Sequence, residues 1–231
     1  MAPSLTSFTA LSFDVYATLI DWETGITKAL APLNARIPDS HPLKNNRQGL
    51  LGLYTHFEGV LEHQFPGMHA TRDEKQTFGN SVGAWEAFPD TVDALRRLGK
   101  RYKLIVLSNV DKAAFERTRT GPLQGVEFDA VYTAEEIGSY KPDLRNFEYM
   151  IAHAEQELGV QREGFLHTAQ ALKHDHVPAK TAGLKSCWIE RAGDDAAIGG
   201  RLQDFGDEIE LAFRFKTLGE MADAVEREFN A

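Results

Sequence analysis

Short apolar runs alternate with amphipathic stretches along this chain, and the alternation is broken only once. Five runs read as buried parallel strands: Leu11–Tyr16, Lys103–Ser108, Phe128–Thr133, Gly164–Thr168 and Leu184–Ile189. Asp90–Leu98, Asn146–Leu158 and Leu218–Phe229 carry apolar residues at helical spacing. Parallel strands cannot be joined by a tight turn. They need a crossover of about a dozen residues or more, which a helix supplies. The pattern therefore predicts an α/β fold, a Rossmann-like parallel sheet covered on both faces.

The interruption runs from Trp22 to Phe88, where no β-branched run occurs. Helical periodicity is expected instead over Ile26–Leu33 and Leu50–Phe65, punctuated by Pro32, Pro38, Pro42 and Pro66. Residues 1–20 and 89–231 are thus expected to form the sheet domain, with a helical cap, residues 21–88, inserted after the first strand. Ala192–Gly200 reads as a mobile surface loop. The chain has 231 residues, enough for a large core, with 42% hydrophobic and 26% charged residues, which excludes a disordered chain. One cysteine, Cys187, rules out a disulfide framework. No apolar run reaches the ~20 residues of a membrane span, and the first residues lack the pattern of a secretory signal. A soluble, cytoplasmic protein is expected. The net charge of −9 repels phosphate backbones, so nucleic acid is not an expected partner. The expected partner is a small-molecule substrate, with a homodimer as the one assembly considered.

Ligands of open parallel sheets bind outside the carboxyl ends of the strands. The polar residues there are Asp14, Tyr16 and Thr18 at the first strand, Ser108 and Asn109 at the second, and Thr168 and Gln170 with His174-Asp175-His176 at the fourth. Tyr140-Lys141-Pro142-Asp143 precedes a helix on the same edge. Two carboxylates, a hydroxyl and a lysine in one crevice suit nucleophilic catalysis: one carboxylate attacks, the cation holds charge and the second acid orients water. Each residue also has a plainer reading. Asp14 suits an Asx turn, Lys141 a solvated loop, Ser108 and Asn109 the cap of a helix near Asp111, and Asp175 a helix start. Cys187 suits a small buried hydrophobe.

Phe13-Asp14-Val15-Tyr16-Ala17-Thr18-Leu19, Leu107-Ser108-Asn109, Tyr140-Lys141-Pro142-Asp143 and the Asp175 loop resemble, in order, the four motifs of the haloacid dehalogenase superfamily. The resemblance runs from Leu11 to Ile189 and places that superfamily's helical cap where the interruption falls. It implies Asp14 as nucleophile, with Lys141, Asp175 and Thr18 completing the catalytic set. Phosphatases of the superfamily carry an acid two residues after the nucleophile, where this chain has Tyr16. They also carry paired acids in motif four, where it has Gln170. The form is instead similar to the metal-free type II 2-haloacid dehalogenases, in which halide leaves without a proton and an acid at position 16 is dispensable. Against that branch, Ala17 replaces a glycine and should resist a positive φ, Leu172 stands in motif four, and Phe147 replaces a tyrosine.

The resemblance further implies a substrate site formed by Tyr16, Ser108, Asn109, Gln170, Trp22 and Tyr54, with Phe57 and Trp85 as apolar walls and Arg47 as the halide-receiving arginine. The expected activity is hydrolysis of a small 2-haloacid or related carboxylate through an aspartyl ester, without cofactor or metal site. The alternatives are a same-fold hydrolase of a phosphate ester or specialised metabolite, weakly dependent on magnesium, and a catalytically silent binding protein that keeps the cleft.

Overall fold

The computed structural model describes residues 3–44, 46–54, 71–191 and 199–231; at Leu50 and residues 52–54 it describes the backbone alone. Six parallel strands form one sheet: β1 Ala10–Phe13, β2 Lys103–Ser108, β3 Ala130–Thr133, β4 Phe165–Ala169, β5 Lys185–Ile189 and β6 Leu211–Phe215. Their order is β3-β2-β1-β4-β5-β6. The sixth strand was not among the five expected. It lies at the edge, half-buried, and its Arg214 points outward to pair with Glu190, so it lacks the continuous apolar run that marks an inner strand.

Alternate strand residues feed two cores. Leu11, Phe13, Leu104, Val106 and Leu166 pack with Leu95, Leu98, Met221 and Val225 of the Thr91–Leu98 and Leu218–Phe229 helices. Ala10, Ile105, Leu107 and Phe165 pack with Phe147, Met150 and Ile151 of the Leu144–Leu158 helix. Side chains of a strand alternate in direction, so these are the two faces of the sheet. The strand order reverses between β1 and β4, which opens a crevice at their carboxyl ends.

Among the described residues between Asp21 and Phe88, all regular structure is helical: Trp22–Ala29, Ala31–Arg36, Arg47–Tyr54 and Arg72–Ser81, with a 3-10 turn at Val82–Ala84. The helix expected over Ile26–Leu33 is two helices. Leu30 ends the first, and Pro32 sits in the first turn of the second, where its missing N–H costs nothing. Most of the stripe expected over Leu50–Phe65 lies outside the described residues. Gly25 is required by packing: a Cβ there would stand 2.3 Å from Cγ of Trp85. The two crossings between the helices and the sheet pair with each other. Asp21 N–H donates to Glu86 C=O at 2.9 Å and Phe88 N–H to Leu19 C=O at 3.0 Å. Arg191, at the end of β5, locks this ribbon: its Nε donates to Thr18 C=O at 2.9 Å and its Nη1 to Asp90 Oδ1 at 2.7 Å. No helix among the described residues is long and apolar enough to cross a membrane.

Candidate active site

β1 stops at Phe13, and the Asp14 N–H makes the last link to β4, donating to Thr168 C=O at 3.2 Å. The chain then turns sharply: the N–H groups of Leu19 and Ile20 both return to Val15 C=O, at 2.7 and 3.0 Å. Ala17 takes φ of 78° in this turn, the conformation it was expected to resist. The turn's hydrogen bonds and the buried Leu19 and Ile20 outweigh a left-handed cost of about 1–2 kcal/mol. Ala17→Gly relieves that strain but loosens the unfolded chain. It is expected to stabilise the protein by up to about 1 kcal/mol, read as a higher urea midpoint at unchanged slope.

The same turn folds Thr18 back onto Asp14. Thr18 Oγ1 donates to Asp14 Oδ2 at 2.8 Å and accepts the Gln170 N–H at 2.9 Å. From the opposite side comes Lys141, fully buried, with all three protons of its ammonium spoken for. Nζ donates to Asp14 Oδ1 at 2.8 Å, to Asp175 Oδ1 at 2.7 Å and to Leu107 C=O at 2.9 Å. Asn109 anchors the lysine's backbone: its Oδ1 accepts the Lys141 N–H at 2.7 Å and its Nδ2 donates to Lys141 C=O at 2.9 Å. Both polar atoms of Asn109 are thus engaged by the Lys141 loop. The cap of the helix that follows β2 is Asp111, whose Oδ1 accepts Ala114 N–H, so neither Ser108 nor Asn109 is needed for it.

Three buried charges, two negative and one positive, therefore meet at the end of the sheet. Burial pushes the Asp14 carboxyl up, and the nearby Lys141 only partly offsets this. Burial acts on Asp175 in the same sense, but Lys141 and His167 outweigh it and hold its carboxyl well below the usual range. For Lys141, the two carboxylates outweigh desolvation and keep the ammonium charged. Asp14 thus carries the more proton-hungry anion and Asp175 the firmly ionised one.

Ser108 Oγ is buried at the end of β2 and has no hydrogen-bond partner among the described residues. The Tyr16 hydroxyl meets Thr118 Oγ1 at 2.9 Å and its ring lies edge-on to Trp85 at 5.9 Å. Beside the turn is a cavity of about 380 Å³ lined by Ala17, Trp22, Arg47, Phe88, Gln170 and Arg191. Arg47 there pairs with Glu23 at 3.4 Å. The side chain of Tyr54 and all of Phe57 lie outside the described residues, as does most of the loop expected at Ala192–Gly200. Phe147 is core, and Cys187 is a buried free thiol.

One site residue escaped the sequence reading. His167 sits mid-strand in β4, paired in register with Ser12 of β1. Its Nε2 is 3.0 Å from Asp175 Oδ1 and its Nδ1 is 2.9 Å from Ser12 Oγ. Asp175 itself lies in a buried π-helical turn, Leu172–His176, and not at an exposed helix start. Of the two histidines flanking it, His174 is half-exposed and His176 is buried, with Nε2 donating to Ala169 C=O at 3.0 Å.

Burial pushes the His176 imidazole down to about 4. Its unfolded value is near 6.5, so unfolding takes up a proton between those limits. The stability is complete above the unfolded value and is lost as pH falls through the folded one, by roughly 3 kcal/mol in total. His176→Gln is expected to flatten the fall in urea midpoint between pH 6.5 and 4. A slope equal to that of the wild type would refute the assignment.

No protein-family model matches the chain. A curated (S)-2-haloacid dehalogenase of Pseudomonas fluorescens is 24% identical over 198 residues, covering 78% of this chain and 83% of the relative. The solved L-2-haloacid dehalogenase of Xanthobacter autotrophicus with chloropropionic acid covalently bound superposes with a TM-score of 0.66 at 16% identity, covering 95% of this chain and 98% of that one. A Bacillus subtilis HAD-hydrolase bound to magnesium superposes with a TM-score of 0.73 at 19% identity, covering 94% and 97%. Its six-strand parallel sheet matches the fold of these solved structures, and in the order of its motifs and in these likenesses the chain resembles the 2-haloacid dehalogenases of the haloacid dehalogenase superfamily.

Proposed function

We propose that the protein is a 2-haloacid dehalogenase-like hydrolase in which Asp14 is the nucleophile. One observation carries this reading. Asp14 is held at a strand end by Thr18 and Lys141, while the residue two positions on is a tyrosine whose hydroxyl is engaged by Thr118. A carboxylate nucleophile without a neighbouring proton donor suits a leaving group that departs as a stable anion. In the first step, an Asp14 carboxylate oxygen attacks C2 of the haloacid. A carbon–oxygen bond forms, and the carbon–halogen bond breaks with its electron pair leaving on halide. In the second step, water adds to the Asp14 carbonyl carbon and passes a proton to Asp175. The bond to the product oxygen then breaks, that oxygen takes the proton, and Asp14 returns to a carboxylate as the remaining proton is released.

Lys141 would hold the substrate-facing charge through both steps. Ser108, a buried hydroxyl with an unused proton, is suited to the substrate carboxylate. Trp22, Arg47 and Gln170, on the wall of the adjoining cavity, would meet the rest of the substrate, and residues 21–88 would act as the cap that excludes water. Magnesium fits the donor set poorly. The two acids that would ligate it share the Lys141 ammonium, and the flanking positions supply Tyr16 and Gln170 where hard carboxylates would be needed.

The test is a screen of 2-haloacids and phosphate esters with EDTA and with added magnesium, reading halide and phosphate release. Halide release that is unchanged by EDTA is the expected result. Magnesium-dependent phosphate release would replace this reading with the phosphohydrolase one. No turnover on either panel would leave a binding protein.

A further inference from the structure

We propose that His167 is a positioning residue for Asp175, needed for hydrolysis of the aspartyl ester and not for its formation. The inference rests on the dehalogenase-like reading above. It starts from a buried chain of hydrogen bonds that continues past the carboxylates into the sheet: Ser12, His167, Asp175, Lys141, Asp14 and Thr18. An ionised carboxylate only accepts, so His167 Nε2 must carry its proton toward Asp175. Nδ1 is then the acceptor for the Ser12 hydroxyl. Both ring nitrogens are satisfied, and the ring meets Phe147 edge-on at 5.1 Å. The imidazole is pinned by the register of two neighbouring strands, which places Ser12 beside it.

Two donors, Lys141 at 2.7 Å and His167 at 3.0 Å, fall on the same oxygen of Asp175. That saturates Oδ1 and sets the rotation of the carboxylate, leaving Oδ2 as the oxygen to receive a proton from water. The two donors do not behave alike through the cycle. Once Asp14 is esterified it has lost its charge, and Lys141 is freed from one of its two ionic partners. His167 is held by the sheet and keeps its place whatever happens at Asp14. Its work therefore falls in the second step, when Asp175 must aim at water. The charged and titratable groups around Asp175 are Lys141, His167, Asp14 and His176.

The experiment compares His167→Leu with His167→Gln, with circular dichroism to confirm that each variant is folded. Leucine fills the space without a donor, and glutamine restores an N–H. With a 2-haloacid that the wild type consumes, the first-turnover halide burst of H167L should stay within about twofold, because ester formation does not use Asp175. Its steady-state rate should fall on the order of 10²-fold, the loss expected from misplacing a catalytic group. Intact-protein mass after acid quench should show the Asp14 ester accumulating, and H167Q should recover most of the rate. Equal loss of burst and steady state, or full activity in H167L, would overturn the proposal.

If the wild type releases no halide, the dehalogenase-like reading fails, and His167 is judged by the carbon-13 titration of the Asp175 carboxyl. Loss of the donor must move that titration to higher pH in H167L and not in H167Q. An unmoved titration would overturn the positioning role on its own.

Discussion

Asp14→Asn is expected to abolish turnover while leaving the fold intact, a loss of about four orders of magnitude or more in kcat. The amide is nearly the same shape as the carboxylate. Its oxygen can still accept from Lys141, and its nitrogen can donate to the Thr18 hydroxyl, which now contacts Asp14 at 2.8 Å. The substitution also removes one of two like charges buried around a single cation, so thermal stability should match or exceed that of the wild type. What disappears is the electron pair that attacks carbon in the proposed mechanism. A single turnover in oxygen-18 water checks the mechanism directly. If Asp14 attacks carbon, the first product's new oxygen comes from its side chain and should be unlabelled, and the label should enter Asp14 as the ester is cleaved. Label in the first product would mean that water attacks the substrate, and Asp14 would then be a base or a ligand.

Lys141→Met should cost both activity and fold. Removing the cation leaves two carboxylates buried together, a loss of about 3–5 kcal/mol by analogy with other broken buried pairs. The pH dependence separates this from a simple packing defect. In the wild type, Lys141 and His167 hold Asp175 ionised. Without Lys141, burial and mutual repulsion raise both acids above their unfolded values near 3.9. A group with a raised folded value contributes stability at low pH, and that contribution is lost as pH rises through the raised value. The deficit of K141M relative to the wild type should therefore be larger at pH 8 than at pH 5, measured by urea denaturation at each pH. A deficit equal at both would mean that the methionine packs badly and that the charges are not the cause.

The legible part of this protein was local or periodic. Buried parallel strands show as apolar runs, and the four inner strands could be read because both of their faces are covered, together with β3 at one edge, whose Val131 and Tyr132 keep the run apolar. β6, at the other edge, escaped because Arg214 interrupts its apolar run. Asp14, Lys141 and Asp175 were legible because each stands just beyond a strand or before a helix, where the parallel sheet gathers its loops. Ala17 was misjudged, since a propensity for negative φ describes the residue alone and not the turn whose bonds it completes.

The sequence alone determined the class of fold, the edge of the sheet at which chemistry gathers and the residue types available there. Only the tertiary structure decided how they divide the work. Asn109 became the anchor of the Lys141 loop, Tyr16 a partner of Thr118, and His167 a hydrogen-bond partner of Asp175. The physical reason is range. A strand or helix is specified by neighbours a few residues apart, so its pattern is written along the chain. The contacts of Lys141 with Asp14 and of His167 with Ser12 join residues far apart in sequence. They follow from strand order and register, and a mid-strand histidine looks like any core residue until the strand beside it is known.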